Sequence, residues 1–174
     1  MANEENRNQQ LADHLDQALD QIEKELGQDT ASQIRSILFS NIDRGRVANI
    51  VQDDLGRIPS YVALVVNFYE STKPYVRALQ IEKSEHEWSL LMGKLETWIK
   101  RFLARVGFFP RAHNKELAKE LSREAAIGIL SSHYPYDIEF DAWAQVIAQN
   151  TCRQFIRKAK RKSQIPDEDL VSLD

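Results

Sequence analysis

The chain has one cysteine, six glycines and five prolines in 174 residues, and each scarcity excludes something. A single thiol, Cys152, cannot close an intrachain disulfide, and it reads as a small buried hydrophobe of a reducing compartment. With so little glycine and proline there is no low-complexity segment, no glycine-rich phosphate loop and no GxSxG elbow. The four histidines, His14, His86, His113 and His133, show no HxxxH or HExxH spacing, and there is no cysteine pair to hold zinc. No catalytic constellation emerges, so the chain is expected to be neither an enzyme nor a cofactor carrier. No apolar run approaches the ~18 residues of a membrane span, and the polar start MANEENRNQQ lacks a signal-peptide core. The expectation is a soluble, cytoplasmic protein.

What is present is helical periodicity. Apolar residues make up 43% of the chain, enough for a sizeable core, and strand-like alternation is absent, so the expected class is all-α. Residues 1–9 are polar and expected to lie outside regular structure. Leu11, Leu15, Ala18, Leu19, Ile22 and Leu26 then keep helical spacing up to a stop at Gly27. Asp29 or Thr30 can cap a second helix bearing Ile34, Ile37 and Leu38. A short helix through Val47 to Leu55 is closed by Gly56, and Pro74 is expected to break an apolar segment that opens at Pro59. Residues 51–65 have the outline of a helix-turn-helix. The second helix of that pair contains no Arg or Lys, so packing explains it better than DNA reading.

Two further helices precede the most informative stretch. One runs from Ser84 to Val106, with Trp88, Leu91, Leu95, Trp98, Phe102 and Val106 at three- and four-residue steps. The other, capped by Asn114, runs to Ser131 with Leu117, Leu121, Ala125 and Ile129 on one side. A loop, Tyr134 to Glu139, leads into Phe140 to Lys162. There Ala144, Ile147, Ala148, Thr151 and Phe155 share one face, and Arg153, Arg157 and Lys160 the opposite one. Trp143, Asn150, Arg157 and Arg161 line the border. The net charge of −3 hides this asymmetry: residues 1–83 hold 13 acids and 9 bases, whereas residues 141–162 hold one acid and six bases. An aromatic and basic stripe suits a nucleic-acid strand, since cations neutralise phosphates while rings stack on bases.

The pattern Phe140-x-x-Trp143-x-x-x-Ile147-Ala148-x-Asn150, followed by Arg157-Lys158 and a basic run, resembles region 2 of bacterial RNA polymerase sigma factors. Within the sigma-70 family it is most similar to the extracytoplasmic-function group. The resemblance covers about residues 84–162, a helical bundle. It leaves residues 1–83 as an all-helical N-terminal extension of unknown role and residues 163–174 as a linker or tail. Glu120 to Ala125, continuing to Ile129-Leu130, is similar to the segment by which these factors bind the clamp helices of the polymerase largest subunit. The resemblance thus implies polymerase contacts at Leu121, Arg123 and Glu124. The loop Tyr134 to Glu139 corresponds to the one that receives a flipped base of the minus-ten promoter element.

The function this resemblance implies is that of a transcription initiation factor, which binds core RNA polymerase and recognises and melts the minus-ten element. Tyr134, Tyr136 and Phe140 would form the base pocket, Trp143 would border it, and Asn150 would offer an amide to a base or sugar. Arg153, Arg157, Lys158, Lys160 and Arg161 would hold phosphates of partly single-stranded promoter DNA. An anti-sigma factor is a further partner that such a protein can have. The family commonly has glutamine where Arg123 stands, an acid where Gln154 stands, and a loop about two residues longer. No promoter-reading helix-turn-helix comes after Asp174, so the chain reads either as a fragment cut at the linker or as a sigma-like protein without that domain. The alternative function is a helical protein-interaction module that docks on or sequesters polymerase without reading DNA.

Overall fold

A computed structural model describes residues 2–51, 54–107 and 114–162, and every regular element among them is helical. The elements are α1 (Ala2–Leu26), α2 (Gln28–Asp43), α3 (Arg46–Val51), a 3-10 turn (Leu55–Arg57), α4 (Ile58–Gln80), α5 (Glu85–Val106), α6 (Asn114–Ser131) and α7 (Phe140–Lys162). The all-α class is as expected. No helix among the described residues is long and apolar enough to cross a membrane.

The chain forms two compact units. The first contains Met1–Val76 and Tyr134–Phe140, and the second contains Arg77–His133 and Asp141–Asp174. This differs from a boundary near Lys83 with the loop on its far side. The physical reason is that Tyr134, Tyr136, Asp137 and Phe140 find packing and hydrogen-bond partners among residues 41–75.

In the first unit α1 packs against α2. Leu11, Leu15 and Leu19 of α1 are buried at four-residue steps, as are Ile34 and Leu38 of α2. The start of α1 at Ala2 corrects the expectation that residues 1–9 precede it; no glycine or proline interrupts the chain before Gly27. Gly27 adopts a left-handed φ of 81° and reverses the chain in one residue. The expected cap at Asp29 or Thr30 is therefore not used: α2 begins at Gln28, with Gly27 in the capping position and no side-chain bond.

Pro74 does not end α4, which continues to Gln80. Proline deprives the helix of one hydrogen bond, at a cost of about 3 kcal/mol. Val76 and Leu79, both buried beyond it, provide the compensation. In the preceding turn the Ser71 hydroxyl donates to the Asn67 carbonyl at 2.8 Å, and the Thr72 hydroxyl donates to Phe68 O, back-bonds typical of a bent helix.

In the second unit Ser84 caps α5, its hydroxyl accepting from the Glu87 amide at 3.5 Å, and Gly107 closes the helix at φ 61°. Leu91, Leu95, Ile99 and Leu103 form the buried stripe of α5, which packs on Ala118, Leu121, Ala125 and Ile129 of α6. The Trp88 indole donates to the Leu79 carbonyl at 2.9 Å and ties α5 back to the end of α4. Helix α7 approaches α6 closely, because a Cβ on Gly128 would lie 3.1 Å from Ile147 Cγ2. The side-chain cap expected of Asn114 and the tail 163–174 fall outside the described residues.

Candidate nucleic-acid interface

Helix α7 divides into the two faces expected of it. Ala144, Ala148, Thr151 and Cys152 are buried, with Ile147 and Phe155 half-buried beside them, whereas Asn150, Arg153, Arg157, Lys158, Lys160 and Arg161 are exposed. Small buried residues let the helix sit close to its neighbours without presenting its basic side to them. Burial pushes the Cys152 thiol up to about 11, so it stays protonated and inert near neutrality.

The single acid of this helix, Asp141, is engaged by the Lys94 ammonium at 2.7 Å. No acidic side chain among the described residues bridges Arg157, Lys158 or Arg161. Arg153 donates to Asn150 Oδ1 at 2.9 Å, and its guanidinium lies 5.6 Å from the centre of the Phe102 ring. Asn150 therefore has its oxygen occupied and its amide hydrogens left as donors. Trp143 is half-buried at the border between the faces.

The loop is arranged differently. Tyr134 is 1% exposed, Phe140 4% and Tyr136 9%, so these rings are core of the first unit rather than an open pocket. Tyr134 lies 4.5 Å from Tyr136 and 5.3 Å from Phe140, ring centre to ring centre; Tyr69 and Tyr75 complete the cluster at 5.3 Å and 5.1 Å from Tyr136 and Phe140. The Tyr134 hydroxyl donates to the Ile138 carbonyl within the loop. Burial pushes both loop phenols up to about 12.

A buried polar network fixes the same loop. Asp137, whose side chain has 0% exposure, accepts from Arg46 Nε at 2.8 Å and from Arg46 Nη2 as well, and the Tyr61 hydroxyl donates to it at 3.1 Å. Asn41 Nδ2 lies 2.8 Å from Pro135 O and 2.9 Å from the Tyr61 hydroxyl. Hydrogen bonding to Asp137 raises the Arg46 guanidinium, and burial followed by the Asp137 charge raises the Tyr61 phenol. Tyr136 occupies the left-handed region at φ 55°, which costs a non-glycine residue about 1–3 kcal/mol and persists only where packing imposes it.

Magnitudes decide what these rings do as they stand. A buried aromatic ring removes roughly 150–250 Å² from water, about 4–6 kcal/mol before ordering costs. Stacking a base recovers about 1–3 kcal/mol, so a base alone does not draw the rings out of their packing. Of the ten residues expected to touch DNA, Tyr134, Tyr136 and Phe140 fall in the first unit and the other seven in the second.

On α6, Arg123 and Glu124 are exposed, but Leu121 is 1% exposed and packs in the core, so the polymerase contact that the resemblance implies there has no surface to make it. The apolar side chains this helix exposes are Ile127, at 66%, and Leu130. Spacing could have found them, since 123, 127 and 130 are separated by steps of four and three. In the first unit, a cleft of about 790 Å³ between α1 and the start of α4 is lined by Ala18, Ile22, Leu26, Val62 and Val66 with Glu25 and Glu70. Among the described residues its lining has no lysine or arginine, and so lacks the chemistry of the α7 face.

Comparison with family models, curated proteins and solved structures gives no match. Any functional assignment rests on residues and geometry.

Proposed function

We propose that the chain is a sigma-like transcription initiation factor whose α7 binds the partly single-stranded minus-ten element while α6 docks on core RNA polymerase. The observation that carries the reading is the exposed cationic side of α7, Arg153, Arg157, Lys158, Lys160 and Arg161, beside the half-buried Trp143. Cations there neutralise phosphates, the Asn150 amide donates to a base or sugar, and the indole supplies a ring edge. Arg123, Glu124, Ile127 and Leu130 form the polymerase-facing set, with an apolar centre and charged flanks suited to a helical partner.

Charge reversal tests the DNA contact. Arg157→Glu combined with Lys160→Glu abolishes binding of a fluorescent minus-ten oligonucleotide while the helical signal is retained. Binding by the intact chain weakens with salt at a log–log slope of roughly −3, as four phosphate contacts on a single strand require. Unchanged affinity in the double variant, or a slope near zero, refutes it.

The burial of the loop aromatics and the exposure of Ile127 favour one other reading, a protein-interaction module that docks on polymerase without DNA. Capture of core polymerase by the chain in the presence of the labelled oligonucleotide separates the two. Polymerase with DNA supports initiation, and polymerase alone supports docking.

A further inference from the structure

The cleft between α1 and the start of α4 lies wholly within the first unit, and the reading of α6 and α7 makes no use of it. Its walls follow from helical periodicity. Ala18, Ile22 and Leu26 recur at four-residue steps along α1, and Val62, Val66 and Glu70 do so along α4, so each helix contributes one stripe to the opening. Leu55 completes the apolar lining. Val62 is buried, but Ala18, Ile22, Leu26, Leu55 and Val66 keep part of their surface in water. The opening, about 790 Å³, falls within the ~300–1,000 Å³ of small-molecule sites. From Ala18 to Leu26 it runs for ~12 Å, the span of an alkyl chain of about ten carbons.

The formal charges of the lining are of one sign. Glu25 stands on the α1 wall and Glu70 on the α4 wall; both are exposed, and no hydrogen bond or ion pair among the described residues engages either carboxylate. Of the cations that flank the lining in the chain, Arg57 is held by Asp54 at 3.5 Å, and Lys73 lies 4.8 Å from the centre of the Tyr69 ring. Carboxylates beside uncovered apolar surface favour a positive head joined to an apolar body. The body leaves water along the two stripes, and the head meets charges that no internal cation has taken up. An anionic amphiphile gains the same burial but is repelled from both walls.

We propose that this cleft is a binding site for an amphiphilic organic cation, its aliphatic body held by the α1 and α4 stripes and its ammonium head drawn by Glu25 and Glu70. The site is independent of the sigma-like reading, since it uses no residue of α6 or α7.

The probe is decyltrimethylammonium, titrated calorimetrically into the full chain below its micelle concentration at fixed low salt. Decanoate, with a chain of the same length and the opposite charge, is its counterpart. The expected result is saturable binding at one site, with the cation preferred about tenfold. Glu25→Gln combined with Glu70→Gln is expected to weaken the cation about fivefold, because each exposed ion pair contributes little and the two together a few-fold. Ala63→Trp, at an exposed position of the cleft on α4, fills the opening with an indole and abolishes binding of both amphiphiles while the helical signal is retained. Should that variant lose its helical signal, Ala63→Lys supplies the carboxylates with an ammonium of the protein's own and is expected to reverse the preference towards decanoate. Equal affinity for the two amphiphiles in the intact chain, or an unchanged preference in the folded Ala63→Lys or double-glutamine chain, overturns the charge assignment and the proposal with it. Saturable binding that survives a folded Ala63→Trp chain overturns the site. A chain that binds neither amphiphile overturns the proposal too, and capture of a synthetic leucine–lysine helix by that chain would make the cleft a groove for a protein segment instead.

Discussion

Leu121 and Arg123 lie two positions apart on α6, and they show how strongly a small step around a helix changes a residue's role. Both fall in the stretch similar to a polymerase-binding segment, yet Leu121 is core and Arg123 is exposed. Leu121→Ala should cost about 2–5 kcal/mol of stability through loss of packing, whereas Arg123→Ala should stay within about 0.5 kcal/mol. Urea unfolding measures both, and equal costs would show the assignment of faces to be wrong. On α7 the faces were legible in the sequence, because five apolar or small positions and three cations separate cleanly at 100° per residue. In the loop nothing was legible. Tyr134, Tyr136 and Phe140 have no periodicity, and an aromatic residue can fill a core as readily as it stacks on a base.

Among the elements, α5 and α7 match their expected limits because local chemistry sets them. Ser84 and Gly107 bound α5, and no proline or glycine interrupts the run from Phe140 to Lys162. Helix α4 is the opposite case. Pro74 is a local signal to stop, overridden by the burial of Val76 and Leu79 several residues on. Pro74→Ala restores the missing donor at an exposed position and gives up some chain stiffness in the unfolded state. The net expectation is a gain of about 1–2 kcal/mol, visible as a higher thermal midpoint. A lower midpoint would mean that the proline ring at position 74 is needed for the packing of Tyr75 and Val76.

Taken as a whole, the chain separates its chromophores. All five tyrosines, Tyr61, Tyr69, Tyr75, Tyr134 and Tyr136, lie in the first unit, and all three tryptophans, Trp88, Trp98 and Trp143, lie in the second. Tyrosine absorbance therefore reports one unit and tryptophan emission the other. With the Tyr134 and Tyr136 phenols held at about 12 in the folded state against the ordinary 10, the folded first unit keeps protons that the unfolded chain releases. Their contribution to stability is complete below about pH 10 and is lost as pH rises towards 12. An alkaline titration should thus show a late, steep rise of tyrosinate absorbance coincident with loss of helix in that unit. A gradual rise centred near pH 10 would contradict the burial of the two rings.

By itself the sequence determined the all-helical class, the ends of α5 and α7 and the two faces of α7, because periodicity, caps and glycine stops act within a few residues of where they stand. Only the tertiary structure decided that the loop before α7 belongs with residues 1–76. That outcome depends on Arg46 meeting Asp137 and on Tyr69 and Tyr75 meeting Tyr136 and Phe140, pairs separated by more than 60 positions in the chain. No local pattern encodes such meetings, since a carboxylate in a loop reads as solvated until a fold removes its water and supplies a guanidinium in its place.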